Sequence, residues 1–334
     1  MAKLNIAQDV GHTGAAMAAP HGILRRLLTE WPQLGIVVAL IATVLVFTAI
    51  DRAFFSGYNF VNIFLQSSIT AILAIAETLV IITAGIDLSI GSALALTAVV
   101  AGLLMKAGFG LPLAVLGSLL TGAAAGLLNG ALVTLTGITP FVVTLGTMSI
   151  FSGLALIASG GQTVYGLPQA FNELLAGSAG PIPIPIIIAL IVLVITAAIM
   201  STTKLGEYMV AIGGAKEVAR LAGINVTLYT AAAYVIASVL AAVAGLVTIA
   251  RLGAADPILG QDLLLPAIAA AVMGGADLMG GEGSMLGAVV GALLIATLQA
   301  GLTFLNVQAF YQQVAIGVVI ILALLFNRLQ KGGR

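Results

Sequence analysis

Long apolar blocks alternate along the chain with short breaks of polar, glycine and proline residues, and this pattern predicts a helical membrane protein. A helix needs about 20 residues to cross roughly 30 Å of hydrocarbon. Cutting the chain at the breaks gives ten candidate spans, near residues 34–50, 61–83, 88–105, 111–135, 141–159, 183–201, 228–250, 264–276, 284–304 and 309–327. The segment 264–276 is short, so we expect it to be tilted, broken or extended into the glycine-rich turn that follows. The predicted fold class is an all-α polytopic membrane protein with about ten transmembrane helices.

The composition agrees with a membrane protein and excludes several kinds of site. Of the 334 residues 61% are apolar and 7% are charged, whereas a soluble domain carries about 25% charged residues. The net charge is zero, so no global field attracts nucleic acid, and we expect no such partner. Cysteine is absent, and both histidines, His12 and His21, precede the first span. We therefore expect no metal, no other cofactor and no intramembrane hydrolase, since no nucleophile–base pair can be placed in the spans.

The basic residues predict which side of the membrane each loop faces. With a cytoplasmic N-terminus, nine of the twelve lie inside, leaving Arg52, Lys106 and Arg251 outside, as the positive-inside rule requires. Ten spans then put both termini in the cytoplasm, with a tail at 1–33, a membrane domain at 34–328 and a tail at 329–334. The longest outer loop, Ser159–Ile182, is either a docking surface or a solvated connector.

A charged loop at residues 202–227, hereafter the cytoplasmic loop, interrupts the apolar blocks in mid-chain. Within it, Ala215–Ala222 has the spacing of a short helix, with Val218 and Leu221 on one face, and Gly223 is well placed to end it. Such a helix either docks in a groove of another protein or lies on the membrane surface. The glycines before it lack the spacing of a phosphate loop, so we expect no ATP hydrolysis by this chain.

Three features within the spans are candidates for function or packing. Glu77 lies inside the second span, so it either lines a polar path or is a protonated or hydrogen-bonded packing residue. Two G-x-D-L-x-x-G segments, Gly85–Gly91 and Gly275–Gly281, are either corresponding corners of an internal repeat or chance glycine turns. Small residues every fourth position permit close helix packing, within the chain or across a dimer, at Gly122, Gly126, Gly130, Gly283, Gly287 and Gly291.

Four motifs follow one another along the chain: Glu77–Gly91, Thr139–Thr147, Thr203–Gly206 with Ala219–Ile224, and Ala269–Gly275. Through these motifs the chain resembles the permease subunit of ribose-type bacterial ABC sugar importers over nearly all of residues 61–328. The resemblance implies a multi-pass protein of the bacterial inner membrane that carries a monosaccharide or related polyol. It also implies a second permease subunit as a homodimer partner, a periplasmic sugar-binding protein outside, and separate cytoplasmic ATP-binding subunits that hydrolyse ATP.

The resemblance also implies roles for particular residues. The cytoplasmic loop would couple movement of the ATP-binding subunit to the spans, through Glu207, Lys216, Glu217, Arg220, Leu221 and Gly223. Individual sugar contacts do not follow from it, and the candidates for the substrate path are Glu77, Asp87, Ser89, Thr139, Pro140 and Phe141.

Two other kinds of transporter stay open as alternatives. A branched-chain amino-acid ABC permease shares the general architecture, although the G-I-D-L-S-I-G and R-L-A-G-I segments favour the sugar branch. An ion-coupled secondary transporter would need ionisable residues inside the membrane, for which only Glu77 is a good candidate. In that case the cytoplasmic loop would have no obvious role.

Overall fold

The structure, a computed structural model, describes residues 34–331, so the predicted tail at 1–33 and residues 332–334 of the other tail lie outside the described residues. The helices are α1 (Leu34–Ile50), α2 (Gly57–Ile82), α3 (Ile90–Lys106), α4 (Leu111–Thr136), α5 (Pro140–Ser159), α6 (Gln169–Ala176), α7 (Ile184–Thr202), α8 (Lys204–Gly214), α9 (Lys216–Leu221), α10 (Val226–Leu252), α11 (Leu264–Met273), α12 (Met285–Phe304) and α13 (Ala309–Lys331). A 3-10 turn at Arg52–Phe54 and four two-residue strands complete the fold: β1 (Val164–Tyr165), β2 (Ser178–Ala179), β3 (Ile182–Pro183) and β4 (Ala254–Ala255).

The predicted all-helical membrane architecture is confirmed within the described residues. Six helices are long and apolar enough to cross a membrane: α2, α4, α5, α7, α10 and α12. Shorter apolar helices, including α1, α3 and α11, coincide with the remaining predicted spans. Helix α11 has 10 residues and is only about 15 Å long at 1.5 Å per residue, which is roughly half a crossing. The count of ten crossings and the side of the termini stay predictions.

Helix α2 lies at the centre of the bundle. Its residues from Ser67 to Ile82 are all buried, and it packs against α7, α10, α11 and α12. Helices α4, α5 and α7 instead expose much of their apolar surface, for example at Leu120, Leu145 and Val194. Such surfaces match the hydrocarbon tails of a lipid bilayer, where an exposed apolar side chain has no cost.

The glycine ladders hold helices together within the chain. A Cβ added at Gly126 of α4 would lie 2.6 Å from Val235 Cα of α10, and one at Gly130 would lie 2.7 Å from Ala231 Cα. The second ladder brings Gly291 of α12 against the backbone of α11, and Gly287 against Gly274, the residue that follows α11. The close packing predicted from these glycines is therefore confirmed, and it is intramolecular.

The predicted outer loop has secondary structure of its own. Strand β1 pairs antiparallel with β4, with Val164 opposite Ala255, and the Thr163 hydroxyl donates to Asp256 Oδ2 at 2.9 Å. Phe171 of α6 is fully buried in a cluster with residues of α3 and α10. These contacts fix the loop to the end of the bundle opposite the cytoplasmic loop.

Candidate functional site

The first G-x-D-L-x-x-G segment forms a tight turn between α2 and α3. Ala84 has a φ of +60°, a left-handed conformation that is unfavourable for a residue with a Cβ. After it, Asp87 Oδ1 accepts hydrogen bonds from the Ser89 backbone N–H at 2.9 Å and from the Ser89 hydroxyl at 2.6 Å. This side-chain turn explains the D-x-S spacing, because Asp favours a bond to the backbone two residues on.

Two helices distant in sequence complete a buried polar cluster around this turn. Asn129 of α4 donates through Nδ2 to Ser89 Oγ at 2.7 Å and more weakly to Asp87 Oδ1 at 3.5 Å. The Tyr234 hydroxyl of α10 lies against Gly85, where an added Cβ would be 2.5 Å from the phenol oxygen. The polar cluster therefore comprises Glu77, Asp87, Ser89, Asn129 and Tyr234, all of them 0% exposed.

Glu77 gives the cluster its unusual electrostatic character. Its carboxylate lies close to the Asp87 carboxylate, the Asp87 backbone N–H and the Tyr234 hydroxyl, but neither of its oxygens makes a hydrogen bond of good geometry. Asp87 Oδ2, Asn129 Oδ1 and the Tyr234 hydroxyl are also without partners. Among the described side chains, no Lys or Arg lies within ion-pair distance of either carboxylate. Buried polar atoms are normally paired, so this concentration of unpaired atoms makes the cluster a candidate site for a polar ligand.

The remaining path candidates lie apart from the cluster. Thr139 is the residue before α5, Pro140 is the first residue of that helix, and Phe141 is 52% exposed. Thr144, one turn further on, donates to the Ile86 carbonyl oxygen at 3.0 Å. The structure thus divides the predicted path into a buried group, Glu77, Asp87 and Ser89, and a more exposed group, Thr139, Pro140 and Phe141, joined through Thr144.

Sequence reasoning missed Asn129, Tyr234 and Thr144. Each lies inside a predicted span, so a polar side chain in an apolar block was the available signal. Within the described residues, no group of three or more Asp, Glu, His or Cys side chains could hold a metal ion.

The cytoplasmic loop folds into two short helices, α8 and α9. The predicted helix at Ala215–Ala222 is confirmed as α9, whereas α8 was not predicted. Ala219 is buried against Ile212 and Val226, while Val218 and Leu221 are 65% and 87% exposed. Helix α9 therefore presents an apolar tip outward.

The polar candidates lie on the same two helices, Glu207 on α8 and Lys216, Glu217 and Arg220 on α9. Glu207, Lys216, Glu217 and Arg220 are all exposed. Arg220 and Glu217 form an ion pair at 3.2 Å, which at such exposure contributes about 0–1 kcal/mol. Gly223 has a φ of +83° and ends the helix as predicted, with its N–H donating to the Arg220 carbonyl oxygen at 3.0 Å.

The two G-x-D-L-x-x-G segments adopt like turns, and the second lies against the end of α2, just before the first. Asp277 Oδ1 accepts from the Met279 N–H at 3.0 Å, as Asp87 does from Ser89, and each turn follows the end of a helix. The Gly281 N–H donates to the carbonyl oxygen of Ile82, the last residue of α2, at 2.9 Å. The like geometry supports corresponding corners of an internal repeat.

Comparison with known proteins identifies the class, a multi-pass transport component of the inner membrane. The family described as "Branched-chain amino acid transport system / permease component" matches residues 59–324, and the chain belongs to this family. No solved structure matches it.

The curated relatives cover nearly the whole chain. The D-allose transport system permease protein AlsC of Escherichia coli is 40% identical over 301 residues, which are 90% of this chain and 92% of the relative. The ribose import permease protein RbsC of Bacillus subtilis is 37% identical over 89% of this chain and 92% of its own. The autoinducer 2 import system permease protein LsrD of Klebsiella pneumoniae is 37% identical over 84% and 86%. The resemblance to ribose-type permeases is thereby confirmed, and these relatives are transport permeases rather than enzymes.

Proposed function

We propose that this chain is the membrane-spanning permease subunit of an ABC importer for a monosaccharide or related polyol. The observation that carries the proposal is similarity over almost the full length to permeases named for D-allose and ribose. The amino-acid alternative is not favoured, because the family description is broad while these relatives are named for sugars. The ion-coupled alternative is disfavoured because it leaves the folded cytoplasmic loop without a role.

The polar cluster suits a polyhydroxylated ligand. Sugar hydroxyls both donate and accept hydrogen bonds, and the cluster offers unpaired oxygens on Glu77, Asp87 and Asn129 together with the Tyr234 hydroxyl. Sites built from such groups discriminate strongly for a ligand that satisfies them. All five cluster residues are buried in the described conformation, so a sugar reaches them only after the helices around α2 move. Thr139, Pro140 and Phe141 would then line the approach.

The apolar tip of α9 suits a groove on an ATP-binding subunit. Val218 and Leu221 form the exposed apolar anchor, Lys216, Glu217 and Arg220 add charge on the same helix, and Glu207 is exposed on α8. Protein interfaces commonly have this arrangement of an apolar centre and polar edge. A periplasmic sugar-binding protein would dock at the opposite end, where the folded outer loop lies, and a second copy of the chain would complete the transporter.

Co-purification with a candidate ATP-binding subunit tests this proposal. The tagged wild-type chain is compared with the double variant Arg220→Glu plus Leu221→Asp, and Leu174→Asp on α6 serves as the control. We expect the double variant to reach the membrane and lose the ATP-binding subunit, while the control retains it. Equal recovery with the double variant would place coupling elsewhere, and no recovery with the wild type would refute the ABC assignment.

A further inference from the structure

Three backbone segments meet without intervening side chains where α2 ends. The Ile82 carbonyl oxygen accepts the Gly281 N–H at 2.9 Å instead of a helical partner. Gly213, in the last turn of α8, lies against the same carbonyl, so that a Cβ added there would collide with the Ile82 oxygen and the Gly281 nitrogen. This contact of Gly213, Ile82 and Gly281, hereafter the backbone junction, joins the cytoplasmic loop directly to the end of α2 and to the second G-x-D-L-x-x-G turn.

The junction lies close to the polar cluster, and helix α2 joins the two rigidly. Ile82 follows Glu77 by five residues on α2, about 7.5 Å along the helix axis. Ala84 holds its left-handed φ of +60° beside the junction, and a Cβ added at Gly280 would lie 2.7 Å from Ala84 Cβ. A strained residue persists only where its surroundings determine it, so displacement of the junction displaces the turn that carries Asp87.

The exposed tip of α9 is also connected to Gly213 through a short path. One residue, Ala215, separates α8 from α9. Ile212 of α8, Ala219 of α9 and Val226 of α10 are buried together in one small cluster. A force on the exposed tip of α9 therefore moves α8, and with it Gly213.

We propose that Gly213 is a positioning residue that transmits movement of the cytoplasmic loop to the buried polar cluster through its contact with Ile82 and Gly281. The inference rests on the proposed function, since it assumes that a partner moves α9. Its physical basis is that backbone atoms in direct contact cannot absorb a displacement by changing rotamers, unlike the ends of long side chains.

The chain offers a matched pair of substitutions. Gly213→Ala inserts a methyl group into the backbone junction, whereas Gly214→Ala adds the same group one residue later, where nothing lies within 4 Å. Both are assayed in the reconstituted complex of permease, ATP-binding subunit and sugar-binding protein. For Gly213→Ala we expect retained assembly and basal ATP hydrolysis with sugar uptake reduced about tenfold or more, the ordinary range of coupling effects. Gly214→Ala should transport as the wild type does.

Equal transport by the two variants would overturn the inference while leaving the proposed function intact. A wild-type complex that never assembles would overturn both. A merely structural role for Gly213 would lower assembly and uptake together, and that result would also overturn the inference.

Hydrogen exchange on the wild-type complex provides a measurement that does not depend on folding of a variant. Exchange is compared with and without a non-hydrolysable ATP analogue. We expect peptides covering 205–221, 80–90 and 275–284 to change protection together, because the Gly281 N–H to Ile82 bond lies at their meeting point. A change confined to 205–221 would show that movement of the loop stops before the junction, and would overturn the inference.

Discussion

Removing the Asn129 amide tests whether the polar cluster holds the bundle in its observed form. In Asn129→Ala, Ser89 Oγ loses a donor at 2.7 Å and Asp87 Oδ1 loses a weak one at 3.5 Å. A hydrogen bond to a charged group contributes about 1.5–3 kcal/mol, and an ordinary one about 0.5–1.5 kcal/mol. The short bond to Ser89 contributes its full energy, whereas the long bond to Asp87 contributes little. We therefore expect the variant to lose about 1–3 kcal/mol of stability and to take up less sugar.

The matched control is Ser118→Ala on the same helix. Ser118 is also 0% exposed, but its hydroxyl has no hydrogen-bond partner. Replacing an unpaired buried hydroxyl by hydrogen is neutral or stabilising, since no bond is lost. The assay is thermal unfolding of both variants in the same detergent, followed by uptake in vesicles. Equal melting temperatures for the two variants would refute the bonding assigned to Asn129.

Three further predictions concern the substrate path, the packing of α4 and the outer loop. Glu77→Gln should cut sugar uptake while assembly stays intact, because the amide keeps only one of the two acceptor oxygens that the carboxylate offers to sugar hydroxyls. Normal uptake would remove Glu77 from the substrate path. Gly126→Ala should lower the melting temperature, since overpacking costs about 1–3 kcal/mol. Gly146→Ala should not lower it, because nothing lies within 4 Å of a Cβ added there. Equal melting temperatures of the two variants would contradict the packing assigned to Gly126. Phe171→Ala should expose the outer loop to proteolysis, because truncating a buried Phe costs about 3–5 kcal/mol. The control is Leu174→Ala, an exposed site on the same helix, and equal resistance of the two variants to proteolysis would contradict the prediction.

Local patterns in the sequence predict the helices well. The first span, expected at 34–50, is helix Leu34–Ile50, and the short segment at 264–276 is the 10-residue α11. Apolar block length determines whether a segment can cross a bilayer, so this information is local. The ladder at Gly122, Gly126 and Gly130 likewise predicts close packing, because only a residue without a side chain permits such an approach.

The candidate site is only partly predictable, because its contacts join distant parts of the chain. Glu77, Asp87 and Ser89 stand in one motif, but nothing local indicates that Asn129 and Tyr234 complete the cluster. The sequence does not predict the backbone junction for the same reason, since Gly213 and Ile82 are 131 residues apart. On α9 the apolar spacing predicts a short helix, yet only the fold shows that Ala219 packs inward while Leu221 faces out.

Uptake into proteoliposomes tests the central claim most directly. The chain is reconstituted with candidate ATP-binding and sugar-binding proteins. ATP is enclosed on the side of the cytoplasmic loop, and labelled D-allose, ribose and leucine are supplied outside. The account predicts accumulation of a sugar that depends on both ATP and the binding protein. Accumulation of leucine alone, or of sugar driven by an ion gradient without ATP, would contradict it.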